Sequence, residues 1–547
     1  MKKTLLTSLI LATSATLAAL PLTATLAAEV PAGVKLAKVQ ELVRGNGAEP
    51  ASLDPQKIEG SPGSRIAKDL FEGLVSQDAN GNIIPAVAES WEASSDNKVF
   101  TFKLRKDARW SNGEPVTAHD FVYAFQRAVD PKLASPYAWY MQIPGIVNAD
   151  AIIDGKKTPD ALGVAALDDH TFQVTLNKSI PFFAKLLAHQ TTFPAPRKTI
   201  QKYGETWTKP GHMVSNGAYV LKSWVVNERI VLERNTQYWN NAKTVLDKVS
   251  YLPIESENSE LSRYRAGEVE MTNGSTPIPL EHFKKLQKEI PDEIRVSPQI
   301  GTYYYEFNNR RAPFSDARVR KALSYTINRE AIANFIVGQG EKPTYSFTPD
   351  NVNSFVKPDL NWENLSYDQR VESARTLLSE AGYDKSNPLE VTMLYNTSDA
   401  HKKVAIAIAQ MWKKALGVKV TLENQEWKTF LDTRREGRFD VSRAGWIGDY
   451  NEASTMLSLL MTENGNNYAR WSNSEYDNLL NKAMTVADES HRAELYQLAE
   501  QLIAEEMPVA PVYQYVTGRL VKSYVGGYPM NNPEDNVLAK DLYIMAH

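Results

Sequence analysis

The sequence contains no cysteine, so it can build no disulfide framework, carry no thiol nucleophile and offer no thiolate to a metal. The same absence excludes the lipidated cysteine that anchors exported lipoproteins. Histidines are few and scattered: His119, His170, His189, His212, His282, His401, His491 and His547, with no two within five positions, so a zinc helix or clustered metal site has no support. There is no G-x-S-x-G elbow and no phosphate loop. Neither Gly45-Asn46-Gly47 nor Gly338-Gln339-Gly340 continues into a dinucleotide fingerprint. No cofactor is therefore expected. Carboxylates are plentiful, so a glycosidase-type pair stays open from the residues alone.

Internal repeats, low-complexity tracts and long linkers are also missing, and the one long apolar run stands at the start. Lys2 and Lys3 precede Leu5 to Leu20, Pro21 breaks the run, and Thr25-Leu26-Ala27 supplies small residues for cleavage. The run is shorter than the ~20 residues of a membrane span, so residues 1–27 read as a signal peptide and the product as a free periplasmic protein. The chain carries a net charge of -4; without residues 1–27 it has 59 cations against 65 anions, or -6, which disfavours nucleic acid as a partner. At 547 residues it is too long for one core and suggests about three lobes.

Along the chain, Val99 to Leu104 alternates as a half-buried strand, and Thr117 caps a helix in which Phe121 and Phe125 share a face. Ser135 to Tyr140 is an aromatic group that suits a core or a ligand wall equally. The spacing predicts a strand from His170 to Leu176, a helix from Pro181 to His189, and paired strands at Ser215–Leu221 and Arg229–Arg234. Further strands are expected at Lys248–Leu252, Val269–Met271 and Thr302–Asn308. Ser315 and Asn328 are placed as helix caps, and Ser366 with Gln369 as a capping box. The clearest unit is strand Leu389–Tyr395, helix His401–Leu416, Gly417 as its stop, and strand Val418–Leu422. Such a crossover implies parallel pairing and sets His401 at the carboxyl end of a strand, where open α/β sheets hold ligands.

Asn424 to Ala453 is where chemistry concentrates. Phe439-Asp440-Val441 reads as a brief buried strand, and the loop leaving it carries Arg443, Gly445, Trp446 and Asp449. A carboxylate, guanidinium groups, flat indoles and bare glycine backbone suit a zwitterionic, extended ligand better than a reacting bond. The plainer reading is an ordinary surface on which Asp449 orders a turn.

From SLDPQKIEG and DLFEGLV through WSNGEPVTAHDFVYAFQRAVDP, SNGAYVLKSW, FNNRRAPFSDARVRKAL, LYNTSDAHKK, NQEWKTFLDTR and RAGWIGDYNEA to GRLVKSYVGGYP, the chain resembles the periplasmic oligopeptide-binding proteins of ABC importers. The oligopeptide and murein-tripeptide branches are the nearest. The resemblance implies an α/β fold of the type II periplasmic binding class, with two hinged lobes and an inserted α+β lobe. The expected boundaries are residues 28–71, 197–300 and 515–547 for lobe I, 72–196 for lobe II and 301–514 for lobe III.

The resemblance further implies a non-catalytic monomer that captures short peptides and passes them to inner-membrane permease and ATPase subunits. A murein-tripeptide binder is the rival ligand class, and an exported hydrolase the rival of another class. Asp449 would hold the peptide ammonium; Arg434, Arg443 and His401 would serve carboxylates of peptides of different lengths. Trp427 and Trp446 would line side-chain pockets, and Tyr137, Tyr304 and Tyr515 would flank the ligand. Glu59, Ser61, Gly445 and Ile447 would supply position or backbone. The chain departs from relatives at Gly301 and Ile447, where a cysteine pair is common, at Asn273-Gly274-Ser275, and at Val337, where some carry a lysine.

Overall fold

The computed structural model describes residues 30–274 and 278–547. The expected signal peptide and Ser275 lie outside the described residues. Three larger sheets frame the molecule. A four-stranded sheet joins Glu41–Gly45, Lys248–Leu252, Arg229–Arg234 and Tyr219–Val225 in that order. A second four-stranded sheet orders Ala88–Ala93, Val99–Leu104, Thr171–Thr175 and Val164–Asp168, and its strands pair antiparallel. The third sheet has six strands and runs Lys342–Pro343, Val509–Leu520, Ile294–Phe307, Val441–Ile447, Glu390–Asn396 and Lys419–Gln425.

The expected crossover is present. Glu390–Asn396 and Lys419–Gln425 pair in parallel, joined by the helix Asp399–Leu416, which ends on Gly417 at φ +74°. The helix buries Val404, Ala405, Ile408 and Trp412 against Tyr303, Tyr305, Met393 and Val441 of the sheet, and the Trp412 indole donates to the Leu323 carbonyl at 2.9 Å. The Thr117 and Ser366 capping boxes both form. Phe121 and Phe125 are buried together against Phe172.

Two long strands carry the chain across the expected lobe boundaries. Ile294–Phe307 spans residue 300 and Val509–Leu520 spans residue 514, and the two pair antiparallel from Ile294↔Leu520 to Glu306↔Val509. Their register shifts between Pro298 and Thr302 and again between Tyr303 and Tyr304. Such irregularities bend and twist a strand pair locally.

Four local expectations change. Val269–Met271 forms no strand; among the described residues Met271 makes single bridges to Arg44 and Val521. The helix expected over Pro181–His189 shortens to Phe183–Leu186 and a separate 3₁₀ turn at Gln190–Thr192. The cap expected at Ser315 is Asp316, whose side chain accepts the Arg318 N–H. The strand expected at Phe439–Val441 runs instead over Val441–Ile447, so Arg443 to Ile447 lie on a central strand rather than in a loop. Ser61 opens the helix Ser61–Leu70, where Gly60 precedes it at φ +88°.

Candidate functional site

The strand Val441–Ile447 is paired along its whole length on one side only. Ile294–Phe307 accompanies it from Phe307↔Val441 to Gly301↔Ile447, whereas Glu390–Asn396 pairs with it at Val441 and Ser442 and then diverges. The edge from Arg443 to Ile447 is left facing a cavity of ≈ 240 Å³. An unpaired strand edge in a cleft offers a row of backbone donors and acceptors to an added strand. Opposite it stand Glu59, Gly60 and Ser61. Every expected site residue lines this cavity except Tyr304, which packs edge-on against Phe347 at 4.9 Å.

Asp449 stands at one end, just past the strand. Its backbone N–H donates to Thr455 Oγ1 at 2.8 Å, which fixes the turn. Its carboxylate is only 11% exposed; Oδ1 lies 3.4 Å from His189 Nε2, and Oδ2 finds no hydrogen-bond partner among the described residues. Burial raises the Asp449 carboxyl well above its ordinary value, and Lys68 opposes that only in part. His189 gives no cation, because its own burial, and then Lys68, hold it well below the usual imidazole range. The carboxylate is thus buried with a vacant lone-pair direction, the condition a ligand ammonium relieves.

Arg443 holds the strand itself. Its Nη2 donates to Tyr515 Oη at 2.8 Å and its Nη1 to Asn396 Oδ1 at 3.3 Å, with the guanidinium carbon 4.7 Å above the Tyr303 ring. No carboxylate among the described residues pairs with it, and its Nε has no hydrogen-bond partner among the described residues. Gly445 allows this arrangement, since a Cβ there would stand 2.1 Å from the Tyr515 hydroxyl. His401 enters the cavity from the first turn of its helix, with Nδ1 unpartnered among the described residues. Burial, then the neighbouring Arg443 charge, hold it well below the usual range, which favours the uncharged ring.

Arg434 differs from Arg443. It makes a bidentate pair with Glu306, from Nε at 3.1 Å and Nη2 at 2.8 Å, and lies over the Tyr468 ring at 4.6 Å. Its charge is already answered within the protein. Glu59 is likewise engaged, receiving Arg435 Nη2 at 2.6 Å and the Tyr468 hydroxyl at 2.8 Å. Gly60 sits hard against Trp427, where a Cβ would meet the indole at 2.6 Å.

The aromatic group Ser135–Tyr140 divides between its two readings. Tyr137 lines the cavity, stacked on His189 at 4.8 Å and on Trp446 at 6.2 Å, while Trp139 and Tyr140 pack behind it as core. Gly301 and Ile447 are direct cross-strand partners. Val337 is buried outside this cavity, against a small cleft beside Leu280. Lining residues not foreseen include Lys68, His189, Asn396 and Glu534. Lys68 donates to Asn536 Oδ1 at 2.6 Å, and burial raises Glu534 to about 7. They come from segments far apart in the chain, and none carries a local signal.

A three-sheet α/β frame around a buried groove with an open strand edge defines a solute-binding protein, and residues 82–468 match the bacterial extracellular solute-binding proteins, family 5. The chain belongs to that family. It is 53% identical to the periplasmic oligopeptide-binding protein OppA of Salmonella typhimurium over 99% of this chain and 98% of that one. The structure of the murein tripeptide binding protein MppA of Escherichia coli superposes with a TM-score of 0.92 at 50% identity, covering 94% of this chain and all of that one. Haemophilus influenzae OppA in complex with the peptide RPPGFSPFR gives 0.91 at 45% identity over 94% of this chain and all of that one. The unliganded open form of MppA gives only 0.67 at the same 50% identity, covering 94% of this chain and 99% of that one, so the arrangement here is nearer to the peptide complex than to that open form. No helix among the described residues is long and apolar enough to cross a membrane.

Proposed function

We propose that this protein is a periplasmic receptor that captures short peptides with little side-chain preference and delivers them to the permease and ATPase subunits of an ABC importer. The observation that carries the reading is the open edge Arg443–Ile447, set between the Asp449 carboxylate, one oxygen of which has no hydrogen-bond partner among the described residues, and the Arg443 guanidinium, which has no carboxylate partner among them. A peptide laid along the edge would be held by main-chain hydrogen bonds, which are blind to side chains, while its termini meet the two charges. Asp449 and Arg443 are six positions apart on nearly extended chain, on the order of 20 Å, and the reach of both side chains shortens that to a ligand of a few residues. Trp446, Trp427 and Tyr137 flank the edge as flat apolar walls.

Closure would turn on the two long strands, Ile294–Phe307 and Val509–Leu520, with residues 28–71, 197–300 and 515–547 as one lobe, 301–514 as the other and 72–196 as the inserted lobe. The register shifts at Pro298–Thr302 support a hinge there. The likeness to MppA supports a second ligand class, the murein tripeptide, which would use the same two termini.

Mass spectrometry of ligands that copurify with the protein, followed by calorimetry with synthetic peptides of two to six residues, tests the reading. Short peptides recovered uncut support a receptor; cleaved products would mark a hydrolase. Direct competition between murein tripeptide and ordinary tripeptides separates the two ligand classes.

A further inference from the structure

The helix that presents His401 takes part of its N-terminal cap from the opposite lobe. Glu257 opens the helix Glu257–Arg265, which follows the strand Lys248–Leu252 of the first four-stranded sheet. Its carboxylate accepts the Ser398 hydroxyl at 2.7 Å, the Asp399 N–H at 3.0 Å and the Ala400 N–H at 3.3 Å. Ser398 is the local N-cap, and its Oγ accepts the His401 N–H at 3.2 Å. The first N–H groups of the helix Asp399–Leu416 therefore end on one buried carboxylate from 141 residues away, directly or through one hydroxyl. Ser256 donates to Asp399 Oδ2 at 2.9 Å, which eases the approach of the two carboxylates.

A helix N-terminus leaves its first donors unsatisfied and favours negative charge beside them. Ser398 alone can answer one such donor; Glu257 answers two more and orients the Ser398 hydroxyl. The contact lies at the rim of the cavity, because Glu255, Thr397, Ser398 and His401 all line it while Glu257 does not. The helix end is occupied by the protein's own carboxylate, so a ligand carboxylate has Arg443 as its partner instead. When the lobes part, the Asp399 and Ala400 donors pass to water and the Ser398 hydroxyl is free to rotate.

We propose that Glu257 is a positioning residue for ligand capture: it caps the His401 helix across the cleft only in the closed protein, so that closing the lobes and setting His401 are one event. The proposal rests on the peptide-receptor reading. Calorimetry and thermal unfolding of the full chain with Glu257→Ala and Glu257→Gln, with and without a tripeptide, test it. Loss of a charged cap predicts peptide affinity about 5- to 30-fold weaker for Glu257→Ala, the same factor for peptides with free and amidated carboxyl ends, and an intermediate loss for Glu257→Gln, which keeps one acceptor oxygen.

The thermal midpoint without peptide should stay as in the parent protein, and the increment that peptide adds should shrink. An equal fall in midpoint with and without peptide would make Glu257 a stabiliser of the fold alone and overturn the proposal. Native affinity in Glu257→Ala would overturn it too. If the parent protein binds no peptide, the functional reading falls first and this inference with it.

Discussion

Replacing Asp449 by asparagine should cripple peptide binding while leaving the fold intact. The carboxylate is 11% exposed, one oxygen has no hydrogen-bond partner among the described residues, and its nearest basic neighbour, His189 at 3.4 Å, is held neutral. A peptide ammonium would complete a buried, hydrogen-bonded charge pair. Removing one partner of such a pair costs about 2–5 kcal/mol, a loss of roughly 30-fold to several thousandfold in affinity. N-acetylation of the peptide removes the other partner and should weaken binding to the parent protein similarly. The two changes together should cost less than their sum, since each deletes the same pair. Calorimetry with both proteins and both peptides gives the full cycle.

The pH dependence carries a sign. Burial lifts the Asp449 carboxyl well above its usual range, and a ligand cation would lower it again, so binding should release a proton in buffers where the free site holds one. Affinity should fall as pH drops through that raised value. It should fall again on the alkaline side as the peptide amine, ordinarily near 7.7–8.0, loses its proton. Titration in buffers of different ionisation heat reads the proton directly. Asp449→Asn should abolish the acid limb. Equal affinity for free and acetylated peptides, or an acid limb that survives in Asp449→Asn, would refute the ammonium site.

Arg443→Ala should weaken peptides with a free carboxyl end far more than their amides, because Arg443 has no carboxylate partner among the described residues; equal losses in a binding assay would assign it a structural role. Arg434→Ala should act first on stability, by about 3–5 kcal/mol in denaturant unfolding, because it strands the buried Glu306 carboxylate, and adding Glu306→Gln should recover part of that. A length-dependent loss of peptide affinity with unchanged stability would instead return Arg434 to the ligand. Gly60→Ala combines φ +88° with a Cβ 2.6 Å from Trp427, so it should hinder closure, and scattering should find a larger radius of gyration at saturating peptide than in the parent; an identical radius would show that Trp427 yields.

What the sequence disclosed depended on how far each signal reached along the chain. The crossover from Leu389 to Leu422 was legible because a period-2 strand, a long amphipathic helix and a glycine stop sit in one run. Its helix starts at Asp399, two residues before the expected His401, since Ser398 caps it together with Glu257, which no local pattern links to it. The strand Val441–Ile447 has no strand signal beyond Val441, because Arg443 and Gly445 break the pattern of a buried central strand. Both exceptions have a cause at the site: the guanidinium rests over Tyr303 and on Tyr515, and the missing Cβ makes room for that hydroxyl. Functional positions are where local rules are expected to fail.

Residue types alone could not separate Arg434 from Arg443. Both are arginines in one short span, both are buried, and the resemblance assigned both to ligand carboxylates. Their partners distinguish them: Glu306, 128 positions from Arg434, neutralises it, while Arg443 meets a hydroxyl, an amide and a ring face but no carboxylate among the described residues. The same division runs through the acids, for Glu59 is taken by Arg435 and Tyr468 whereas Asp449 keeps an oxygen unpartnered among the described residues. A buried charge answered by the protein holds the frame, and one left unanswered is available to a ligand. By that criterion the cavity keeps one expected anion and one expected guanidinium available, on either side of an open strand edge, and a zwitterion of short extended chain satisfies all three.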